Sequence, residues 1–390
     1  MENEYCKLPE IPEKARGVKA FIVMEILEKA QEMERAGEHV VHLEVGEPDF
    51  STPACVTEAA VQALRSGKTH YTHSMGLLEL REALAQDYLD RYGTVVDPGC
   101  IIVTSGTSAA MSLVFSVLLE KGRRVALTNP HYACYSNFIR FADGEPAFVD
   151  VDEYTGFQFT PETLRKAAGP DTAAILLNSP SNPGGTVLGA ETLEAATRLG
   201  VPVISDEIYH GLVYEGKAHS VLEFTRDAFV INGFSKLYAM TGWRIGYAIA
   251  PKKYVRVMQK LQQNFYISAN SFVQWAAIAA LRDAHKDVEE MVRVYGERRR
   301  FILDELKSMG FRIPVEPTGA FYVFLNVKHV ESDSYKLALE ILEKARVAVT
   351  PGIDFGSGGE GHIRFSYANS LENIREGMKR LREFFRNKAG

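Results

Sequence analysis

The chain has little cysteine and no segment built for a membrane or for nucleic acid. Four cysteines, at positions 6, 55, 100 and 134, stand among 390 residues without a Cys-x-x-Cys pair, so neither a zinc knuckle nor a disulfide framework is indicated. No apolar stretch approaches the ~18 residues needed to span a bilayer. The first residues, Met1, Glu2, Asn3 and Glu4, lack the basic-then-apolar order of a signal peptide. Long blocks of like charge are missing too: 44 Lys and Arg against 50 Asp and Glu give a net charge of −6. The short run Arg298-Arg299-Arg300 reads as a solvated helix face rather than a nucleic-acid surface. Internal repeats, low-complexity tracts and Pro- or Ser-rich linkers are also absent. What remains is an ordinary globular composition, 46% hydrophobic and 24% charged with 31 Gly and 16 Pro, expected to form a reduced, cytoplasmic protein of more than one domain.

The middle of the chain alternates β-branched runs with helical patterns, which predicts a mostly parallel sheet covered on both faces. Strand candidates are 101–104, 125–128, 174–177, 201–204 and 229–232, with 245–249 as a further, antiparallel one. Thr107 to Leu119 reads as a helix. Thr52 as cap, Pro53 in the first turn and Gly67 as stop bracket another, and 251–282 reads as one long helix. Near the start, Val23, Ile26, Leu27, Ala30 and Met33 recur at helical spacing, and Gly37 ends that helix. After about residue 281 the order becomes helix, strand (320–324), helix (334–345), two strands and a terminal helix. The expectation is an α/β fold: a large domain over 45–280 with a seven-stranded type of sheet, and a smaller α+β domain made of 1–44 and 281–390.

An open α/β sheet places its ligands at the carboxyl edge of the strands. Four strand ends here carry unusual residues. The strand at 101–104 runs into Ser105-Gly106-Thr107-Ser108, small residues opening a helix whose free amides suit a phosphate, although taken alone they favour a capped helix with a tight turn. The strand at 201–204 delivers Asp206, Glu207 and Tyr209, where an acid is more often a helix cap. The strand at 174–177 delivers Asn182-Pro183-Gly184-Gly185, a polar turn. The strand at 229–232 delivers Ser235-Lys236, with Arg244 eight positions on. A lone lysine is nearly always a surface residue.

Together these residues lose their bland readings. Gly-Phe-Ser-Lys-x₇-Arg-x-Gly, preceded by Asp-Glu-x-Tyr and Asn-Pro-Gly-Gly, resembles the class I aminotransferases, pyridoxal-phosphate enzymes of fold type I, in the prokaryotic aspartate, aromatic and alanine aminotransferase-like subgroup. The resemblance also takes in Gly46-Glu47-Pro48-Asp49-Phe50, Tyr71 and Ile363-Arg364-Phe365-Ser366. It implies that Lys236 is the lysine that binds the cofactor aldehyde and moves the substrate proton, and that Asp206 pairs with the pyridinium nitrogen. It further implies that Tyr209 and Asn182 hydrogen-bond the ring oxygen, and that Tyr132 stacks on the ring. Gly106, Thr107, Ser108, Ser235 and Arg244 are similar to the family's phosphate cradle. Tyr71 resembles a residue that reaches the phosphate of the neighbouring subunit in a homodimer. Arg364, with Asn182 and the Gly46 backbone, resembles the binding site of the substrate α-carboxylate.

Two departures from the family pattern bear on substrate. Asn-Pro-Gly-Gly replaces the commoner Asn-Pro-Thr-Gly, and Ser108 stands where some aspartate enzymes carry a lysine for the distal carboxylate. Phe21, Ile22, Tyr132, Phe265 and Tyr266 are instead candidates for an apolar mouth, which favours neutral donors. The function implied is exchange of an amino group between an L-amino acid and a 2-oxo acid, with a carbon–heteroatom lyase on the same fold as the alternative. No metal, nucleic acid or membrane is implied.

Overall fold

A computed structural model describes residues 10–389; Cys6 and the acidic first residues lie outside them. The short strand β1 (Val41–His42) is followed by seven strands in the middle of the chain: β2 (Ile101–Thr104), β3 (Arg124–Asn129), β4 (Glu145–Asp150), β5 (Thr172–Asn178), β6 (Val203–Asp206), β7 (Ala228–Gly233) and β8 (Gly246–Ile249). These seven form one sheet in the order β2-β8-β7-β6-β5-β3-β4. All its pairs are parallel except those of β8, which runs antiparallel to both β2 and β7. The central strands β6 and β7 are buried along their whole length, as a sheet covered on both faces requires.

The topology carries one consequence for function. Because β8 alone is reversed, β2 to β7 all end at the same edge, and β8 begins there. The residues just after Thr104, Asn129, Asn178, Asp206 and Gly233, and just before Gly246, therefore meet in one place although they span more than a third of the chain.

Four more strands lie in the last third: β9 (Tyr322–Asn326), β10 (Val347–Ala348), β11 (Thr350–Pro351) and β12 (His362–Ser366). β12 pairs antiparallel with β11 and β9, while β10 pairs in parallel with β1. The helix Ile22–Arg35 buries Val23, Ile26 and Ala30, and its first two amides are capped from a distance: Asp354 accepts from the Ile22 and Val23 N–H groups at 2.9 and 3.2 Å. A helix start held this way places Phe21 and Met24 in the cleft at the sheet's carboxyl edge. Among the described residues, no helix is long and apolar enough to cross a membrane.

Several expectations need correction. β4 carries no strand signal because it is an edge strand, nowhere fully buried, with Pro146 in its second position. The stretch 251–282 is two helices, Lys252–Phe265 and Ser271–Asp283. Ile267 takes a left-handed backbone, φ 64°, and the buried Gln274 donates to the Ala269 carbonyl at 3.0 Å, stapling the break. Thr52 is not a helix cap: its hydroxyl donates to the Ala239 carbonyl at 2.7 Å and accepts from the Trp243 indole at 2.9 Å, leaving Pro53 at the cap position.

The arginine run is not a solvated face either. Arg300 is exposed, but Arg298 and Arg299 are buried. Arg298 makes a bidentate pair with Asp49 at 2.6 and 2.8 Å and lies over the Phe50 and Tyr295 rings. Arg299 donates to Glu215 at 2.6 Å and to the Pro317 carbonyl. Helical spacing could not reveal this, because the partners are distant in sequence and the guanidinium can be buried when bidentately paired.

His42, on β1 beside β10, reaches back to the helix Ile22–Arg35. Its Nδ1 lies 2.7 Å from Glu44 and its Nε2 3.1 Å from Glu34. The hydrogen bond to Glu44 leads in raising the imidazole to about 9, against the opposing effect of burial. A raised folded-state value stabilises fully below the ordinary histidine value and is lost as pH rises through about 9. The Tm advantage of the native chain over His42→Asn should therefore be largest near pH 6 and vanish by about pH 10. A gap that widens with pH would contradict this.

Candidate active site

The carboxyl edge opens into a cleft of about 230 Å³, lined by residues from both layers. Lys236 projects from the turn after β7, and its Nζ donates to the Gly46 carbonyl at 2.8 Å. Burial lowers this amine to about 8; Glu47 and Asp206 oppose the shift, while Arg364 and Arg244 add to it. Asp206, the last residue of β6, is 2% exposed. It accepts from the Tyr135 hydroxyl at 2.6 Å and the Ile208 amide at 3.1 Å. Burial nevertheless outweighs these donors and raises the carboxyl to about 6. A buried acid so placed gains from a cation opposite it.

On the other wall, Arg364 comes from β12. It donates to Asn182 Oδ1 at 2.8 Å, to Thr350 Oγ1 at 3.2 Å and to the Glu44 carbonyl. Its guanidinium lies 4.3 Å from the centre of the Tyr322 ring and 4.9 Å from that of Phe355. The Tyr209 hydroxyl is 2.7 Å from that of Tyr322. Gly46 is obligatory here: a Cβ on it would sit 1.9 Å from the Tyr322 hydroxyl.

The far end of the cleft is the start of the helix Thr107–Leu118, whose cap residue Gly106 has φ 83°. No side chain caps this helix, so its first-turn amides stay available. Arg244, itself at φ 52°, is held by its Nη1 donating to the Thr241 carbonyl at 3.0 Å. A Cβ on Gly106 would lie 2.6 Å from the Arg244 Nη2, so only glycine lets the guanidinium and the helix start approach so closely. Ser108 is exposed and Ser235 buried, both on the cleft wall. The Tyr132 ring meets Tyr135 and Phe21 edge-on at 5.2 and 6.1 Å.

The cleft thus gathers Gly46, Thr107, Ser108, Tyr132, Asn182, Asp206, Tyr209, Ser235, Lys236, Arg244 and Arg364, with Gly106 behind Arg244. Tyr71 is not brought there. It is 82% exposed on a loop that is otherwise tied down, with Gln274 donating to Thr72 and accepting from the Leu77 amide. The mouth expectation is corrected in part: Phe21 lines the cleft, but Val23 and Met24 do so in place of Ile22, and neither Phe265 nor Tyr266 reaches it. Sequence reading missed Tyr135 and Tyr322. Tyr135 sits inside a helix and Tyr322 inside an apolar strand, where an aromatic reads as core. A larger, more open groove of about 770 Å³ lies by Arg91, Gly211 and His285 and contains none of these residues.

A family model described as aminotransferase class I and II matches residues 38–381. A (5-formylfuran-3-yl)methyl phosphate transaminase of Methanocaldococcus jannaschii is 45% identical over 369 residues, covering 94% of this chain and 96% of that protein. An aspartate/prephenate aminotransferase of Thermus thermophilus is 39% identical, covering 94% of this chain and 97% of its own length. Among solved structures, a Methanococcus jannaschii protein presented as similar in its active site to kynurenine aminotransferases superposes with a TM-score of 0.90 at 44% identity, covering 96% of this chain and 100% of that one. The Thermus thermophilus aspartate aminotransferase with maleate superposes with a TM-score of 0.92 at 37% identity, with the same coverage.

Proposed function

Because this chain belongs to the class I and II aminotransferase family, we propose that its cleft holds pyridoxal phosphate and uses the residues gathered there to move an amino group from a neutral L-amino acid to a 2-oxo acid. That the chain is a transaminase follows from its relatives; the cofactor, residue roles and donor are our reading. The observation that carries it is the buried Lys236 amine, lowered to about 8 and facing the buried Asp206 carboxyl across one cleft.

The residues fit the cofactor. The uncapped helix start beside the Arg244 guanidinium suits a phosphate. Asp206, whose carboxyl burial holds at about 6, suits a protonated ring nitrogen that would draw it back to the charged form. Pyridoxal phosphate supplies, when bound, an electron sink for the carbon that carries the migrating amino group. Lys236 would hold the cofactor through Nζ, and its lowered basicity leaves a useful fraction of free amine near neutrality to take and return the proton at the donor Cα. Asp206 would pair with a protonated ring nitrogen, Tyr209 and Asn182 would hydrogen-bond the ring oxygen, Tyr132 would stack on the ring, and Arg364 would bind the α-carboxylate of the donor. This reading divides the chain into a unit of 45–280 carrying the cofactor and a unit of 1–44 with 281–390 carrying Arg364, the cleft lying between them.

The neutral-donor reading rests on a count of cations. Lys236, Arg244 and Arg364 are the lysines and arginines among the described cleft-lining residues. Each already has a role in this scheme. The remaining wall offers Phe21, Val23, Met24, Met111, Ile208 and the Ser108 hydroxyl. A second substrate carboxylate would be buried without a partner, whereas each buried methylene gains about 0.8 kcal/mol. In a half-reaction screen, kcat/KM for alanine, leucine or phenylalanine should exceed that for aspartate by about tenfold or more. Lys236→Ala should lose at least ~10²-fold in every case. Aspartate turning over tenfold faster than every neutral donor would sink the donor assignment, and an active Lys236→Ala would sink the mechanism.

A homodimer completes the proposal. Tyr71 stays exposed on a braced loop, and Phe265 and Ile267, 64% and 49% exposed, sit on the adjoining helix break. Gln263 donates to Ser74 at 3.3 Å and Ser271 to the Lys68 carbonyl at 2.7 Å, tying the two segments together. A twofold pair would bury this face and carry Tyr71 to the partner's phosphate end. Co-expressing Lys236→Ala with Tyr71→Ala chains should restore about a quarter of native activity, because half the pairs then own one intact site. A fully active monomer, or no restoration in purified hybrids, would refute the shared site.

A further inference from the structure

Tyr322, the first residue of β9, touches both working ends of the cleft. Its hydroxyl is 2.7 Å from that of Tyr209, its ring lies 4.3 Å beneath the Arg364 guanidinium, and it is 1% exposed. The chain has made room for this hydroxyl, since it occupies the space that any side chain at position 46 would need. Two facing phenols share one hydrogen bond, so one must donate and the other accept. Burial raises both, and the Arg364 charge draws both back down. A Tyr209 hydroxyl that gives its proton to a group in the cleft has only its oxygen left to offer its neighbour, so in that arrangement Tyr322 is the donor of the 2.7 Å bond.

We propose that Tyr322 is a positioning residue that fixes the Tyr209 hydroxyl as a donor into the cleft and couples that donor to the charge on Arg364 across its own ring. The inference rests on the roles given above to Tyr209 and Arg364. It adds a second connection from the carboxylate end of the cleft to the ring end, beside the direct bond between Arg364 and Asn182. A carboxylate arriving on Arg364 offsets the cation above the Tyr322 ring, weakens the Tyr322 hydroxyl as a donor, and so makes the Tyr209 hydroxyl a poorer donor into the cleft. Substrate binding is thereby sensed at the ring oxygen without any movement of the backbone.

The hydroxyl and the ring have separable roles, and so has the test. In the pyridoxal-phosphate-loaded enzyme, the pH midpoint of the cofactor's visible band reads how well Tyr209 donates. Tyr322→Phe should move that midpoint upward by about half a unit, in keeping with loss of one hydrogen bond to a buried hydroxyl. It should leave KM for the donor within about twofold, because the ring still supports Arg364. Tyr209→Phe should move the midpoint at least as far, and the double variant no further than Tyr209→Phe alone. Tyr322→Leu, which removes the ring, should raise KM by about tenfold. A midpoint unchanged in Tyr322→Phe but shifted in Tyr209→Phe overturns the coupling while leaving the cleft assignment intact. A midpoint unchanged in both overturns the role of Tyr209 and the coupling with it.

Discussion

The arrangement turns on one costly group, an amine buried where water cannot fully solvate it. Lys236 is held by the Gly46 carbonyl, which arrives from a segment 190 residues earlier in the chain. Burial disfavours its charged form and brings it to about 8. Every other feature of the cleft adjusts to that position. Two arginines at opposite ends push in the same direction, and the buried acid on β6 pulls the other way. An amine of this kind on a surface would keep its ordinary basicity and have little free base near neutrality.

The Gly46 carbonyl is itself held in place by contacts outside the cleft. Asp49, three residues on, is gripped by Arg298, which is sandwiched against Phe50 and Tyr295. On the other side Glu47 accepts from the Thr241 hydroxyl in the arginine loop. The Glu44 carbonyl receives Arg364 and the Thr350 hydroxyl. The segment from Glu44 to Phe50 is thus a strap that crosses from one layer to the other, bonded to both. Its sequence, Glu-Val-Gly-Glu-Pro-Asp-Phe, reads as a loop, but its acidic residues meet partners at each end, and its glycine leaves room for Tyr322.

How much of this was legible depends on locality. Lys236, Asp206, Asn182 and Gly106 could be read because each follows an apolar strand within a few residues, so the carboxyl-edge rule applies to each one separately. Arg364 was legible only through family resemblance, since a strand arginine carries no local sign of what it faces. Tyr322 and Tyr135 stayed hidden because aromatic residues in strands and helices serve the core far more often than a site. The burial of Arg298 depended on Asp49, 249 residues away, and no spacing rule links them. The break at Ile267 escaped because it contains neither glycine nor proline, and what braces it is a side-chain bond from Gln274.

Reductive trapping tests the central claim most directly. The protein is mixed with stoichiometric pyridoxal phosphate near neutral pH, reduced with borohydride, digested and mapped by mass spectrometry. The account predicts one phosphopyridoxyl group per chain, on the peptide containing Lys236, because among the described lysines this amine combines lowered basicity with a phosphate site at reach. Label spread over surface lysines, with Lys236 unmodified, would contradict it.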